Sequence, residues 1–246
     1  MRKFILCTLA LAIFAAIGCE TKSDTKAQAA LNRGVDNMQL GQFDKAISDY
    51  NKAIEINPKL VEAFKYRGIA YGAKGQHDEA ISDFNQAIEI NPRDGGAFND
   101  RGNAYKSKGQ FDKAISDYNK AIEINPKLIE AFNNRGNAYD AKGQHDKAIS
   151  DYNKAIEINP RQAIAYYNRG LAYKNKGQLD QAISDYTKAI EINPKLVEAF
   201  NKRGIAYYMK REYDKAWEEV NKVQTLGYQV HPGFLKALLA ASGRQK

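Results

Sequence analysis

The chain has 246 residues, of which 43% are hydrophobic and 27% charged, with a formal net charge of +8 at pH 7. Its lysines recur beside acids: Lys147 and Asp151 at i,i+4, and Asp151 and Lys154 at i,i+3, can pair on a solvated helix face. No stretch clusters Lys and Arg without acids, which excludes a patch for nucleic acid.

Arg2 and Lys3 make a basic start, and Phe4 to Ile17 is an apolar run too short for a typical spanning helix. Ala16-Ile17-Gly18-Cys19 follows. This resembles the lipobox of bacterial lipoprotein signal peptides, in which a small residue precedes the Cys. The resemblance implies that residues 1–18 are cut off, that the Cys19 thiol carries a diacylglyceryl group, and that the new amino terminus is acylated. The family prefers Leu where Ala16 stands. The other reading is a plain secretory signal with an incidental Cys. Cys7 would leave with the signal, so the folded part would hold no thiol for a disulfide, a metal or catalysis. After the anchor, residues 20–26 show no apolar periodicity and read as a flexible tether, so that 19–26 is anchor and tether. Glu20 rather than Asp after the anchor points, by the same resemblance, to the outer membrane facing the periplasm.

From Ala27 the chain repeats. Pro58, Pro92, Pro126, Pro160 and Pro194 recur every 34 residues, dividing the chain into units 27–60, 61–94, 95–128, 129–162, 163–196 and 197–230. A fixed period of this length means stacked supersecondary units rather than one globular core. In the fourth unit, Phe132, Gly136 and Tyr139 fall on one helical face at positions 4, 8 and 11. Gly143 suits a left-handed helix end. Ala148, Ile149, Tyr152, Ala155 and Ile156 make a second helical face, with Asp146 in its first turn and Pro160 as its stop. Gly136 and Ala148 are small enough to let the two helices approach closely.

Phe64, Gly68, Tyr71, Ala80, Phe84, Ala87 and Pro92 repeat the pattern, as do Phe98, Gly102, Tyr105, Ala114, Tyr118, Ala121 and Pro126, and again Tyr166, Gly170, Tyr173, Ala182, Tyr186, Ala189 and Pro194. This resembles the tetratricopeptide repeat family, which implies an all-α, right-handed superhelical solenoid of stacked helix-turn-helix units. The first unit departs, with Ala30 and Asn37 in aromatic places, as a more polar end unit would. The sixth carries Arg211 for the turn Gly, Trp217 for Ile, Val220 for Tyr and Tyr228 for Pro, and Leu226-Gly227 suggests an earlier stop. In residues 231–246, Phe234, Leu235, Leu238 and Leu239 form a helical stripe resembling the C-terminal capping helix of such arrays.

His77 and His145 share a turn position, and His231 has no acid or thiol nearby in sequence, so all three read as structural. No phosphate loop, zinc-protease motif or nucleophile elbow occurs, and the acids are periodic, so no enzyme, cofactor or metal is expected. Arg33, Arg67, Arg101, Arg135, Arg169 and Arg203 recur at position 7. Each can lie over the aromatic four residues on, such as Arg135 over Tyr139, and they read as packed, paired residues rather than a ladder for ligand. The resemblance places positions 2, 5, 6, 9, 12 and 13 on a concave surface. It thereby implies a peptide-binding face of Asn99, Asn103, Lys106, Asn133, Asn134, Asn137, Tyr167, Asn168, Lys174, Asn201, Lys202 and Tyr208. Amides donate to and accept from a peptide backbone, and Tyr supplies rigid contact area. Chaperone-binding members hold a carboxylate with a set that Asn137, Asn168 and Lys202 match in part. Asn133 and Glu198 stand where that set has lysines, so carboxylate capture is not expected. The expected function is a membrane-anchored scaffold that positions another cell-envelope protein. The alternatives are a self-associating structural lipoprotein and, with less support, an enzyme.

Overall fold

The computed structural model describes residues 23–244. Cys19 and the segment before it lie outside the described residues. Thirteen α-helices and no strand form among the described residues, in two compact units that divide after Ile124. The first unit holds α1 (residues 23–39), α2 (Phe43–Ile56), α3 (Val61–Ala73), α4 (His77–Ile90), α5 (Gly95–Ser107) and α6 (Phe111–Ile124). The second holds α7 (Ile129–Ala141), α8 (His145–Ile158), α9 (Ala163–Asn175), α10 (Leu179–Ile192), α11 (Val197–Met209), α12 (Tyr213–Thr225) and α13 (Pro232–Ser242). Within each unit every helix packs on the next in sequence, so the paired helices stack as a helical repeat.

Residues 23–26, expected in a flexible tether, are instead the start of α1. Ser23 Oγ donates to Ile56 O at 3.4 Å, and Asn57 Nδ2 donates to Asp24 Oδ1 at 3.0 Å. These bonds to the end of α2 hold a polar turn that carries no apolar signal in sequence.

In the first five pairs the turn follows from one glycine; in the sixth, Arg211 takes the same left-handed place. Gly143 has φ +72, and the amides of Gly143 and Gln144 close back on Asp140 O and Tyr139 O, both at 2.9 Å. This double bond satisfies the last carbonyls of α7 and reverses the chain into α8. At the end of α8, Asn159 turns to an extended conformation before Pro160, and its Oδ1 accepts from Arg161 N at 3.0 Å. A helical residue is disfavoured before proline, so the stop is local.

In the first five pairs the close contact is a glycine against a ring, and in the sixth Gly204 faces Glu219 instead. A Cβ at Gly136 would stand 2.6 Å from Tyr152 Cε1, and one at Gly102 would stand 2.6 Å from Tyr118 Cε1. Tyr50, Tyr118, Tyr152 and Tyr186 are among the largest fully buried side chains. Position 8 is therefore glycine because position 24 fills its place.

The array ends on α13. Its Leu238 joins Val197, Phe200, Val220, Val223 and Val230 in one buried cluster, with Tyr208, Trp217, Phe234 and Leu235 packed around it. Gly227, at φ +83, reverses the chain after α12, and His231 caps α13 by accepting from Gly233 N at 3.1 Å.

Candidate interaction surface

The position 7 arginines sit where a second helix meets a first. Arg67 grips Asp83 with Nε at 2.8 Å and Nη2 at 2.6 Å, and its Nη1 reaches Asn51 of the preceding pair at 2.6 Å. Arg101 does the same with Asp117 and Asn85, and Arg169 with Asp185 and Asn153. Arg135 holds Asp151 at 2.8 and 2.6 Å. The two parallel bonds match the guanidinium fork to a carboxylate. The same guanidinium lies over the position 4 ring, as Arg135 over Phe132 at 5.6 Å, and in other pairs also near the position 11 ring, as Arg67 over Tyr71 at 6.0 Å. Arg33 has Ala30 and Asn37 in those places, and its ion pair with Asp49 is longer, at 3.4 Å.

This corrects the pairing of Asp151 with Lys147 and Lys154 on a solvated face. Asp151 is 4% exposed and belongs to Arg135. Lys147 lies over the Tyr139 ring at 5.3 Å, and Lys154 pairs with Glu157 at 2.7 Å. A separation of 16 residues across two helices leaves no mark in a one-helix pattern.

In the first unit, α5 carries Asn99, Asn103 and Lys106. Asn99 is buried and donates to Asp100 at 3.2 Å, and Asn103 accepts from Tyr118 Oη at 2.8 Å. Burial pushes the Asp100 carboxyl up, with the Asn99 bond opposing it, and holds the Lys106 ammonium below its ordinary value.

The second unit lines up α7, α9 and α11. Asn133 Nδ2 donates to Gln162 Oε1 at 3.0 Å, and Asn175 Nδ2 donates to Asp140 Oδ2 at 3.2 Å, tying α7 to both ends of α9. His145 Nδ1 contacts Asp140 at 2.6 Å. Asn137 accepts from Tyr152 Oη at 2.7 Å. Tyr167 lies 6.0 Å from the Tyr186 ring, and burial, then Glu198, raises its phenol above the ordinary value. Tyr208 packs against Tyr213 and Phe234, each 5.9 Å away.

The expected binding residues thus fall into two groups. Asn99, Asn103, Asn133, Asn134, Asn137, Tyr167 and Tyr208 are engaged in internal contacts. Lys106 of the first unit and Asn168, Lys174, Asn201 and Lys202 of the second are half-buried and make no side-chain hydrogen bond or ion pair among the described residues. Position 9 explains part of the division. Its Asn serves the Tyr at position 24, as in Asn137 with Tyr152. Where Leu171 takes that place, the Tyr186 hydroxyl is buried without a partner. Asn137, expected on the peptide-binding face, is thus also a packing residue.

The geometry defines an all-helical repeat protein in which several polar side chains of the first helices make no internal bond. Family comparison sharpens that class. A TPR repeat model matches residues 37–75, 102–143 and 136–177. Two tetratricopeptide repeat models match 61–94 and 163–196, and 84–116 and 185–218. Among solved structures, MamA is 33% identical, covering 66% of this chain and 95% of that one, with a TM-score of 0.59. The pilF protein of Pseudomonas aeruginosa is 16% identical, covering 91% of this chain and 100% of that one, with a TM-score of 0.76. YrrB, described as a TPR protein with an unusual peptide-binding site, is 22% identical over 79% of this chain and 98% of that one, with a TM-score of 0.59. The last two likenesses show the shared fold. No curated protein matches. The chain belongs to the tetratricopeptide repeat family, whose members bind protein or peptide partners.

Proposed function

We propose that this protein is a lipid-anchored adaptor that positions another bacterial cell-envelope protein on the first-helix face of its second unit. One observation carries the choice of face. Asn168, Lys174, Asn201 and Lys202 present polar groups that the fold does not use, while their neighbours Asn133, Asn137 and Tyr208 are engaged. Unused amides on a rigid helix offer donors and acceptors to a peptide backbone without first breaking an internal bond. The anchor rests on Ala16-Ile17-Gly18-Cys19 at the end of its apolar run.

Photo-crosslinking in the native cell tests both parts. A crosslinker at position 168 or 202 should capture one partner, and one at Lys154 on α8 should not. Asn168→Ala should then weaken the captured partner by about 0.5–1.5 kcal/mol in calorimetry while leaving the fold intact. Capture at 154 with silence at 168 and 202 moves the site to the second helices. Cys19→Ala should lose palmitate label and membrane association; a wild type that takes up no label ends the lipoprotein reading.

A further inference from the structure

Every second helix of the second unit but the last is covered by the first helix of the following pair. On α10, Ile183 packs with Ala206 of α11, and Ile190 packs with Val197 and Phe200. The same places on α12 hold Trp217 and Gln224, and the covering element is α13, of 11 residues. What remains beside it is an open groove of about 840 Å³. Trp217, Asn221 and Gln224, one face of α12, make one wall, and Leu235 and Leu239 of α13 make the other. A groove walled by the ridges of two helices accepts a third helix between them.

The groove is also charged in one sense. Its ionisable groups are Lys236 and Arg244. Arg244 lies over the Trp217 ring at 5.5 Å and reaches Asp214 at 2.8 Å, while Lys236 is exposed and has no carboxylate partner among the described residues. Trp217 Nε1 donates to Ser242 Oγ at 3.1 Å, which fixes the indole against α13. A second copy packed groove to groove about a two-fold axis would bring together two linings whose ionisable groups are all basic. Like charges across an interface oppose that pairing, and opposite charges favour it.

We propose that this groove is a separate docking site for an amphipathic helical segment of a partner protein, with an apolar ridge flanked by Asp and Glu. The ridge sits on Trp217, Leu235 and Leu239, and the acids meet Lys236 and Arg244. This is the helix-in-groove mode of recognition.

Trp217 is the chain's one tryptophan, so its emission reports on the groove alone. The full chain is titrated with a synthetic helical peptide that lacks Trp and carries Leu at i, i+3, i+4 and i+7 with Glu on both flanks. Trp217 emission should shift to the blue and saturate. A Lys-for-Glu version should bind at least about tenfold more weakly, and added salt should narrow the difference. Lys236→Glu, at an exposed position, should keep the melting temperature and reverse or abolish the preference. No saturable change with the Glu peptide, equal binding of both peptides, or an unchanged preference in Lys236→Glu overturns the proposal. So does a shift that depends on protein concentration alone and accompanies a doubled mass in sedimentation, because a second copy then fills the groove.

Discussion

The fifth and sixth helix pairs follow one template, yet their packing differs. In α9 and α10, Arg169 holds the two oxygens of Asp185 at 2.7 Å each, and Gly170 lies under the Tyr186 ring, whose Cε1 would be 2.7 Å from an added Cβ. In α11 and α12, Arg203 holds one oxygen of Glu219, at 2.9 Å from Nε and 2.8 Å from Nη2. The other, Oε2, is buried without a partner. The extra methylene of Glu carries the carboxylate past the fork. Burial pushes the Glu219 carboxyl up, against the pull of Arg203. The turn differs as well: Gly177 has φ +76, whereas Arg211 takes φ +63 with a side chain that this region disfavours. The lesson is that the template is kept where another pair packs on it. It loosens where α13 is the neighbour, because there fewer helix–helix contacts constrain each position.

The largest test of this contrast is the buried ion pair. Arg169→Ala leaves Asp185 buried and unpaired, and should cost about 3–5 kcal/mol in urea unfolding. Arg203→Ala should cost clearly less, since Arg203 holds only one oxygen of Glu219 and the other is already without a partner. Equal losses would erase the distinction between the two pairs.

Glycine substitution is the next probe. Gly170→Ala should cost about 1–3 kcal/mol, because its Cβ would stand 2.7 Å from the Tyr186 ring, which is fully buried and has nowhere to go. At Gly204 an added Cβ meets Glu219 Cβ at 3.1 Å. There Gly204→Ala should come out near zero, the tight contact offsetting a gain in helix propensity of about 1 kcal/mol. A Gly204 variant as damaged as the Gly170 one would place equally close packing in both pairs.

Alkaline pH gives the mildest effect. Burial raises the Tyr186 phenol well above its ordinary value, and likewise pushes Tyr50 up to about 12. An unfolded tyrosine ionises near pH ~10. Above that pH the unfolded chain releases a proton that the folded chain retains, so stability falls as pH rises. The slope is up to about 1.4 kcal/mol per pH unit for each such phenol. Tyr186→Phe should flatten the loss by that amount in urea midpoints measured between about pH 9 and 11. It breaks no bond, because the Tyr186 hydroxyl has no partner. The sixth pair has Val220 in that place and so no phenol there to titrate. An unchanged slope in Tyr186→Phe would mean that this phenol does not drive the alkaline loss.

Much of this architecture is written locally. The 34-residue period, the Gly143 turn, the Asn159-Pro160 stop, the early stop at Gly227 and the α13 stripe can be read one after another along the chain. Each depends on backbone preference or on one face of one helix, and both have a fixed spacing in sequence. Three features came only with tertiary structure: the Arg135 grip on Asp151, the Asn137 bond to Tyr152, and the helical start at residues 23–26. Each joins atoms on two different helices, where contact is set by how the helices cross. For the same reason the expected binding residues look equivalent in sequence, and only their packed neighbours separate Asn137, which holds a tyrosine, from Asn168, which holds nothing.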